Sequence, residues 1–157
     1  MRNNLIFSLS IVIFAMLQVV FTDYLKIFNV KPDLLLIIIS LGSLALSLRW
    51  ALVLSVFAGL FKDIFGMNMF GINTLLFPVW SFLIIKLAKK ISIDNNYLRL
   101  GLIFIIALIH NTFTGLVSVY SGSFIPPGIF LRIVFVGSLY VAVISPLVFK
   151  IINSVCP

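Results

Sequence analysis

The sequence predicts an all-α polytopic membrane protein, about six transmembrane helices in one bundle, and three observations carry that fold class. Of its 157 residues, 62% are hydrophobic and only 10% are charged, with a mean hydropathy of +1.28; a soluble globular chain carries roughly 25% charged residues. The apolar residues gather in runs of roughly 20, the length that crosses a hydrocarbon core about 30 Å thick. Charges, prolines and asparagines collect where one run gives way to the next.

Taken in order, the spans cover residues 5–22, 33–47, 51–65, 71–87, 98–120 and 129–152 of one integral membrane domain, 1–157. Met1-Arg2 ahead of an apolar Leu5 to Phe21 has the look of a signal peptide. The run is too long for a signal core and has no small-x-small cleavage site, so a retained first helix is expected. Pro32 suits the start of span two, and Asp33 in its first turn complements the free N–H groups there. Arg49-Trp50 interrupts the next apolar stretch and predicts a tight interfacial corner before span three. Span four contains Pro78, which should kink it unless neighbours satisfy the freed carbonyl. Span five is the most polar, with His110, Asn111, Thr112, Thr114 and Ser118, and span six holds Arg132 near its start and Pro146 near its end. No repeat, low-complexity segment or linker separates these runs.

Charge sets the orientation and removes function classes. Eleven basic and four acidic side chains give a formal net charge of +7, a balance that in a soluble protein would suggest nucleic acid. Here the positive residues stand at helix ends, where topology and lipid phosphate account for them. With six spans, Arg2, Arg49, Lys86, Lys89, Lys90, Arg99 and Lys150 share one side, against Lys26, Lys31, Lys62 and Arg132 on the other. That bias predicts both termini in the cytoplasm; a five-span reading, with spans two and three as one broken element, would put them on opposite sides. One cysteine, Cys156, excludes an intrachain disulfide. One histidine, one cysteine and no glutamate leave almost nothing for a metal site or a catalytic triad, and no hydrolase, P-loop or dinucleotide motif is present. No enzyme activity, cofactor or metal is expected.

The stretch from Gly59 to Asn73 organises the chain. Ala51, Ser55, Gly59 and Asp63 recur every fourth residue, so three small side chains lead to a carboxylate on one helix face. Asp63 should face protein, because a carboxylate in hydrocarbon costs at least about 2.5 kcal/mol, whereas Lys62 points about 100° away from it. Gly66 and Gly71 supply the permissive backbone of a short turn. Asp63 is expected to pair with Arg132 at similar depth. Asp33 is expected to cap its helix, within reach of Lys31 and Arg132 in an outer charge cluster. His110 and Asn111 are the candidate lining of a pocket. Asn111 shares a small and polar face with Ala107, Thr114, Gly115, Ser118 and Gly122, a pattern more common in helix packing than in ligand binding.

Pro32-Asp33-Leu-Leu, followed by Gly59-Leu-x-x-Asp63-x-x-Gly66-x-x-x-x-Gly71-x-Asn73, resembles the rod shape-determining protein MreD family of bacteria, as do the size, the hydropathy and the late Pro146 before a basic helix end. Lys62 stands where that family more often has an apolar residue. The resemblance implies a non-enzymatic scaffold of the cell-elongation machinery in the cytoplasmic membrane. It would bind the membrane helix of MreC, with indirect links to MreB and to the peptidoglycan polymerase and transpeptidase pair. It further implies a fold similar to the substrate-binding subunits of energy-coupling-factor vitamin transporters. That kinship supplies the alternative function, a small-molecule-binding transporter subunit, which would need His110, Asn111 and Arg132 to converge; the Ala-x-x-x-Ala docking stripe of those subunits is missing from span one, where Ala15 stands alone. A homodimer is compatible with either reading.

Overall fold

The computed structural model describes residues 2–21, 30–65, 71–90 and 95–155. Among these residues six helices follow one another: α1 (Arg2–Phe21), α2 (Leu34–Ala45), α3 (Leu48–Phe65), α4 (Ile72–Lys90), α5 (Asn96–Tyr120) and α6 (Pro127–Val155). Among the described residues α4, α5 and 127–152 of α6 are long and apolar enough to cross a membrane. The chain is an all-α polytopic membrane protein.

The shortest helix is the central one. Every residue of α2 from Leu34 to Ser43 is buried, the mark of a helix that is apolar all round and enclosed by protein. Around it pack α1, α3, α4, α5 and α6. Its 12 residues measure about 18 Å, too little to cross the hydrocarbon alone, so its start at Asp33 is enclosed by the bundle while its last residue, Ala45, is exposed. On α1, Phe7, Ile11 and Ala15 form the buried stripe, and the Gln18 side-chain carbonyl accepts from the Leu35 amide at 3.2 Å. Ser43 of α2 and Ser81 of α4 share a buried hydrogen bond of 2.7 Å. The void enclosed by α1, α2 and α3 is about 10 Å³ and apolar, at the lower limit for one water.

The corner between α2 and α3 falls earlier than the sequence suggested. Leu46 is extended, and its amide closes α2 on the Gly42 carbonyl; the Ser47 carbonyl then accepts from Ala51 and opens α3. Arg49 and Trp50 therefore lie in the first turn of α3, exposed at its rim. Their polar ends need water, and a helix end supplies it as readily as a loop does.

Prolines and glycines act where backbone rules place them. Pro146 leaves the Ala142 carbonyl without its helical donor, and the Ser145 hydroxyl donates to it at 2.8 Å. Helix α4 continues through Pro78. At the end of α5, Gly122 takes φ +91°, its amide bonds to Val119, and Ser123 bonds back to Ser118; this is a Schellman cap. Pro127 then begins α6 at the position where a missing N–H costs nothing.

Candidate functional site

The tightest junction in the bundle is that of α3 with the start of α4, and Gly59 makes it possible. A Cβ built at Gly59 would lie 2.5 Å from Thr74 Cα, 2.6 Å from the Asn73 carbonyl oxygen and 2.7 Å from the Thr74 nitrogen. Those are backbone atoms, so no rotamer change could make room. One helical turn further on, Asp63 is 3% exposed and receives five hydrogen bonds. Its Oδ1 accepts from the Asn73 amide at 3.2 Å and from Asn73 Nδ2 at 2.8 Å. Its Oδ2 accepts from the amides of Gly71 and Thr74 at 3.1 and 2.8 Å, and from the Thr74 hydroxyl at 2.6 Å.

Asp63 is thus the N-cap of a helix other than its own. The first turn of α4 has amides without helical partners and the positive end of a helix dipole, and the carboxylate supplied by α3 satisfies both. Gly71 swings the chain into place with φ +97°. The spacing from Gly59 through Asp63 to Gly71 and Asn73 is one clamp: close approach, cap, turn, donor. Asn73 spends its amide nitrogen on the cap, and its Oδ1 stays buried without a hydrogen-bond partner among the described residues. Gly66 lies outside the described residues.

The expected Asp63–Arg132 pair does not form. All of Asp63's described partners come from Gly71, Asn73 and Thr74, and Arg132 is exposed on α6. Neutral donors at a helix terminus replaced the countercharge that burial seemed to demand.

Lys62, one residue before Asp63, leaves α3 about 100° away from it and enters a second network. It forms an ion pair with Asp33 Oδ2, and the two side chains are 15% and 10% exposed. Lys62 is therefore a cation of the cluster expected around Asp33, one that the sequence reading did not include, while Arg132 stays exposed on α6. The other oxygen of Asp33 caps α2 by accepting from the Leu36 amide at 3.2 Å, and Pro32 beside it is fully buried. His110 Nε2 lies 3.5 Å from Asp33 Oδ2 and 3.1 Å from Lys62 Nζ. On the far side of its ring, His110 Nδ1 accepts from the Trp80 indole N–H at 3.1 Å. That bond places the proton of the neutral ring on Nε2, which then faces the Asp33 carboxylate together with the ammonium. Phe77 seals the site, with its ring 5.0 Å below Lys62 Nζ and 5.5 Å from the imidazole.

This network ties α2, α3, α4 and α5 at one level. His110 is ten residues before the end of α5, so the level lies about 15 Å below that end. Trp80 and Lys62 are the members that sequence reasoning missed. A signal for each was present: a tryptophan inside an apolar helix must find an acceptor for its N–H, and a lysine in a span must find an anion.

His110, Asn111 and Arg132 do not converge into a pocket. Asn111 turns to α6, where its Nδ2 donates to Ser138 Oγ at 3.2 Å. The same face of α5 packs on α6 through Gly115, where a Cβ would come within 2.7 Å of the Phe130 ring. Thr114 and Ser118 return their hydroxyls to carbonyls of their own helix. Among the described residues no group of His, Cys, Asp or Glu side chains is arranged to hold a metal.

The chain matches the model of the family described as rod shape-determining protein MreD over residues 1–156. No curated protein and no solved structure matches the chain.

Proposed function

Because the chain belongs to the rod shape-determining protein MreD family, whose role is in rod-shape determination, we propose that it is a non-enzymatic scaffold of the bacterial cell-elongation machinery. In this reading it lies in the cytoplasmic membrane as a single domain with both termini inside. It grips the membrane helix of MreC, and through MreC it supports MreB and the peptidoglycan polymerase and transpeptidase pair.

The observation that carries this reading is the way the interior is used. Among the described residues, the buried or half-buried charged and titratable groups Asp33, Lys62, Asp63 and His110 are each engaged by partners from this chain and spent on joining helices. What the bundle offers to other molecules is its flank, where α5 and α6 present exposed apolar side chains such as Ile109, Phe113, Phe135, Leu139 and Val143. Rigid helices with an apolar flank suit a protein that holds another membrane helix, since such association depends on close packing.

The test is co-purification of MreC with the tagged chain. Asp63→Ala should release the start of α4 and lower the yield of MreC, whereas Arg132→Gln should leave it at the wild-type level. Full recovery of MreC with a demonstrably loosened Asp63→Ala protein would refute the link between bundle rigidity and partner binding. The orientation has its own check: in a Cys156→Ser background, a cysteine placed within 121–128 should label from outside intact cells.

A further inference from the structure

The hairpin of α5 and α6 carries a single charge in the half that holds its turn. In residues 95–155 the charged side chains are Arg99, Arg132 and Lys150. Arg132 is exposed on α6 and makes no hydrogen bond or ion pair among the described residues. Ile129, Leu131 and Phe135 around it are each about half exposed, so its surroundings on the flank are apolar. Gly137, which Val30 covers, lies about 140° away around the helix. Gly115 against Phe130 and Asn111 on Ser138 align the two helices and set Arg132 at about the level of Gly115. From Arg132 to Lys150 α6 rises about 27 Å, close to the thickness of the hydrocarbon core, about 30 Å. From Arg132 back to Pro127, where α6 starts, the helix adds about 8 Å, and a headgroup layer is about 5–8 Å thick on each side. Tyr120 and Phe124 at the turn are 95% and 93% exposed.

We propose that Arg132 binds a phospholipid phosphate at the edge of the hydrocarbon, and that the α5–α6 turn lies in the headgroup layer with Tyr120 and Phe124 as its anchors. Charge complementarity selects the occupant. A guanidinium among lipid-facing apolar side chains needs an anion, and its planar fork matches a phosphate through two parallel N–H bonds. A second copy of this chain brings no such anion from its described residues, because Asp33 and Asp63 are buried and engaged. The long side chain lets the charge reach the phosphate while its stem stays along the apolar flank. The turn fits the layer above: it has no charge, and tyrosine is a residue that membrane interfaces favour. The phosphate thereby fixes the depth of the flank of α5 and α6. The inference rests on the orientation proposed above only in naming the leaflet as the outer one.

The experiment uses the full chain reconstituted in vesicles of phosphatidylglycerol or of digalactosyldiacylglycerol, a bilayer lipid without phosphate. In a Cys156→Ser background, Phe124→Cys, Leu131→Cys and Leu139→Cys each carry a nitroxide, whose depth is read from its collisions with oxygen and with a water-soluble nickel chelate. In phosphatidylglycerol the label at 124 should lie in the headgroup layer, the label at 131 within about 3 Å of the hydrocarbon edge, and the label at 139 about 12 Å below that. Arg132→Gln should let the label at 131 sink by about one helical turn, roughly 5 Å. Arg132 itself in the glycolipid should give the same shift. Circular dichroism verifies that each labelled protein is folded. An unchanged depth at 131 in Arg132→Gln, or equal depths in the two lipids, would overturn the proposal. So would a label at 124 as open to the chelate as one in free solution, since the turn would then stand in water. The vesicles hold no MreC, so failure here leaves the scaffold reading standing, and failure of MreC to co-purify leaves this one.

Discussion

Replacing Gly59 by alanine tests the clamp more sharply than replacing any charged residue. The added methyl carbon would stand 2.5 Å from Thr74 Cα, and ordinary van der Waals contact begins at 3.4 Å, so the start of α4 must retreat by about 0.9 Å. Overpacking of this kind costs about 1–3 kcal/mol by itself. The retreat also stretches the cap, because the Gly71 and Asn73 amides already stand 3.1 and 3.2 Å from the Asp63 oxygens and would pass out of hydrogen-bonding range. Hydrogen bonds to a charged group contribute about 1.5–3 kcal/mol each. Partial relaxation keeps the two effects from adding fully, and a net loss of about 4 kcal/mol is expected.

The assay is reversible unfolding in mixed micelles, titrated with a denaturing detergent and followed by circular dichroism. Gly101 supplies the control: it also lies inside a helix, α5, but a Cβ there meets nothing within 4 Å. Gly101→Ala should be neutral or stabilising by up to about 1 kcal/mol, the ordinary helix-propensity gain. If Gly59→Ala and Gly101→Ala fall within about 0.5 kcal/mol of each other, the close approach of α3 to α4 is not what the glycine serves.

Three further outcomes follow from the second network and from the pairing that failed to form. Lys62→Met leaves the Asp33 carboxylate buried without its cation and should cost about 3–5 kcal/mol, and adding Asp33→Asn should return most of that loss in the same unfolding assay; a double variant no better than Lys62→Met would refute the pair. His110→Phe preserves the ring and strands the Trp80 N–H, so a loss of about 1–3 kcal/mol is expected, with a shift in the emission of Trp80 measured in a Trp50→Phe background. Arg132→Gln removes an exposed charge and should change stability by less than about 0.5 kcal/mol; a loss comparable to that of Lys62→Met would restore Arg132 as a structural partner.

The helices could be read from the sequence because each is a run of apolar residues bounded by polar ones, although the 12 residues of α2 fall short of a membrane-crossing length. The six runs became six helices, displaced at their ends by a few residues where caps and turns decide. Ser47 and Pro126, which open α3 and α6 through their carbonyls, carry no hydropathy signal. The small-residue stripe and Asp63 could be placed on one face by period alone. The partners of Asp63 could not, because backbone amides have no letter in the sequence, and a search among side chains finds only arginines and lysines. Lys62 was hard to place for a related reason. Its partner Asp33 lies 29 positions earlier, at the enclosed start of α2, and only the packed bundle puts the two at one depth.

Adjacent charges on one helix that serve different neighbours carry an implication about how this bundle stays ordered. Lipid tails are as apolar as the side chains they touch, so burial gives helices in a membrane little reason to prefer one register over another. Directional bonds must set the register, and α3 carries two sets of them from consecutive residues. Asp63 fixes α4 by its first turn, and Lys62 fixes α2 and α5 through Asp33 and His110. A slip of α3 by one residue would, according to its direction, present either the ammonium of Lys62 to the unpaired amides of α4 or the carboxylate of Asp63 to Asp33, and each of these contacts is repulsive. The pair therefore excludes misregistered packings as well as stabilising the native one. This explains why a lysine is tolerated beside Asp63 where an apolar residue would be less costly to bury, and it locates the rigidity of the bundle at the end of α3, leaving the outer faces of α5 and α6 free of structural duty.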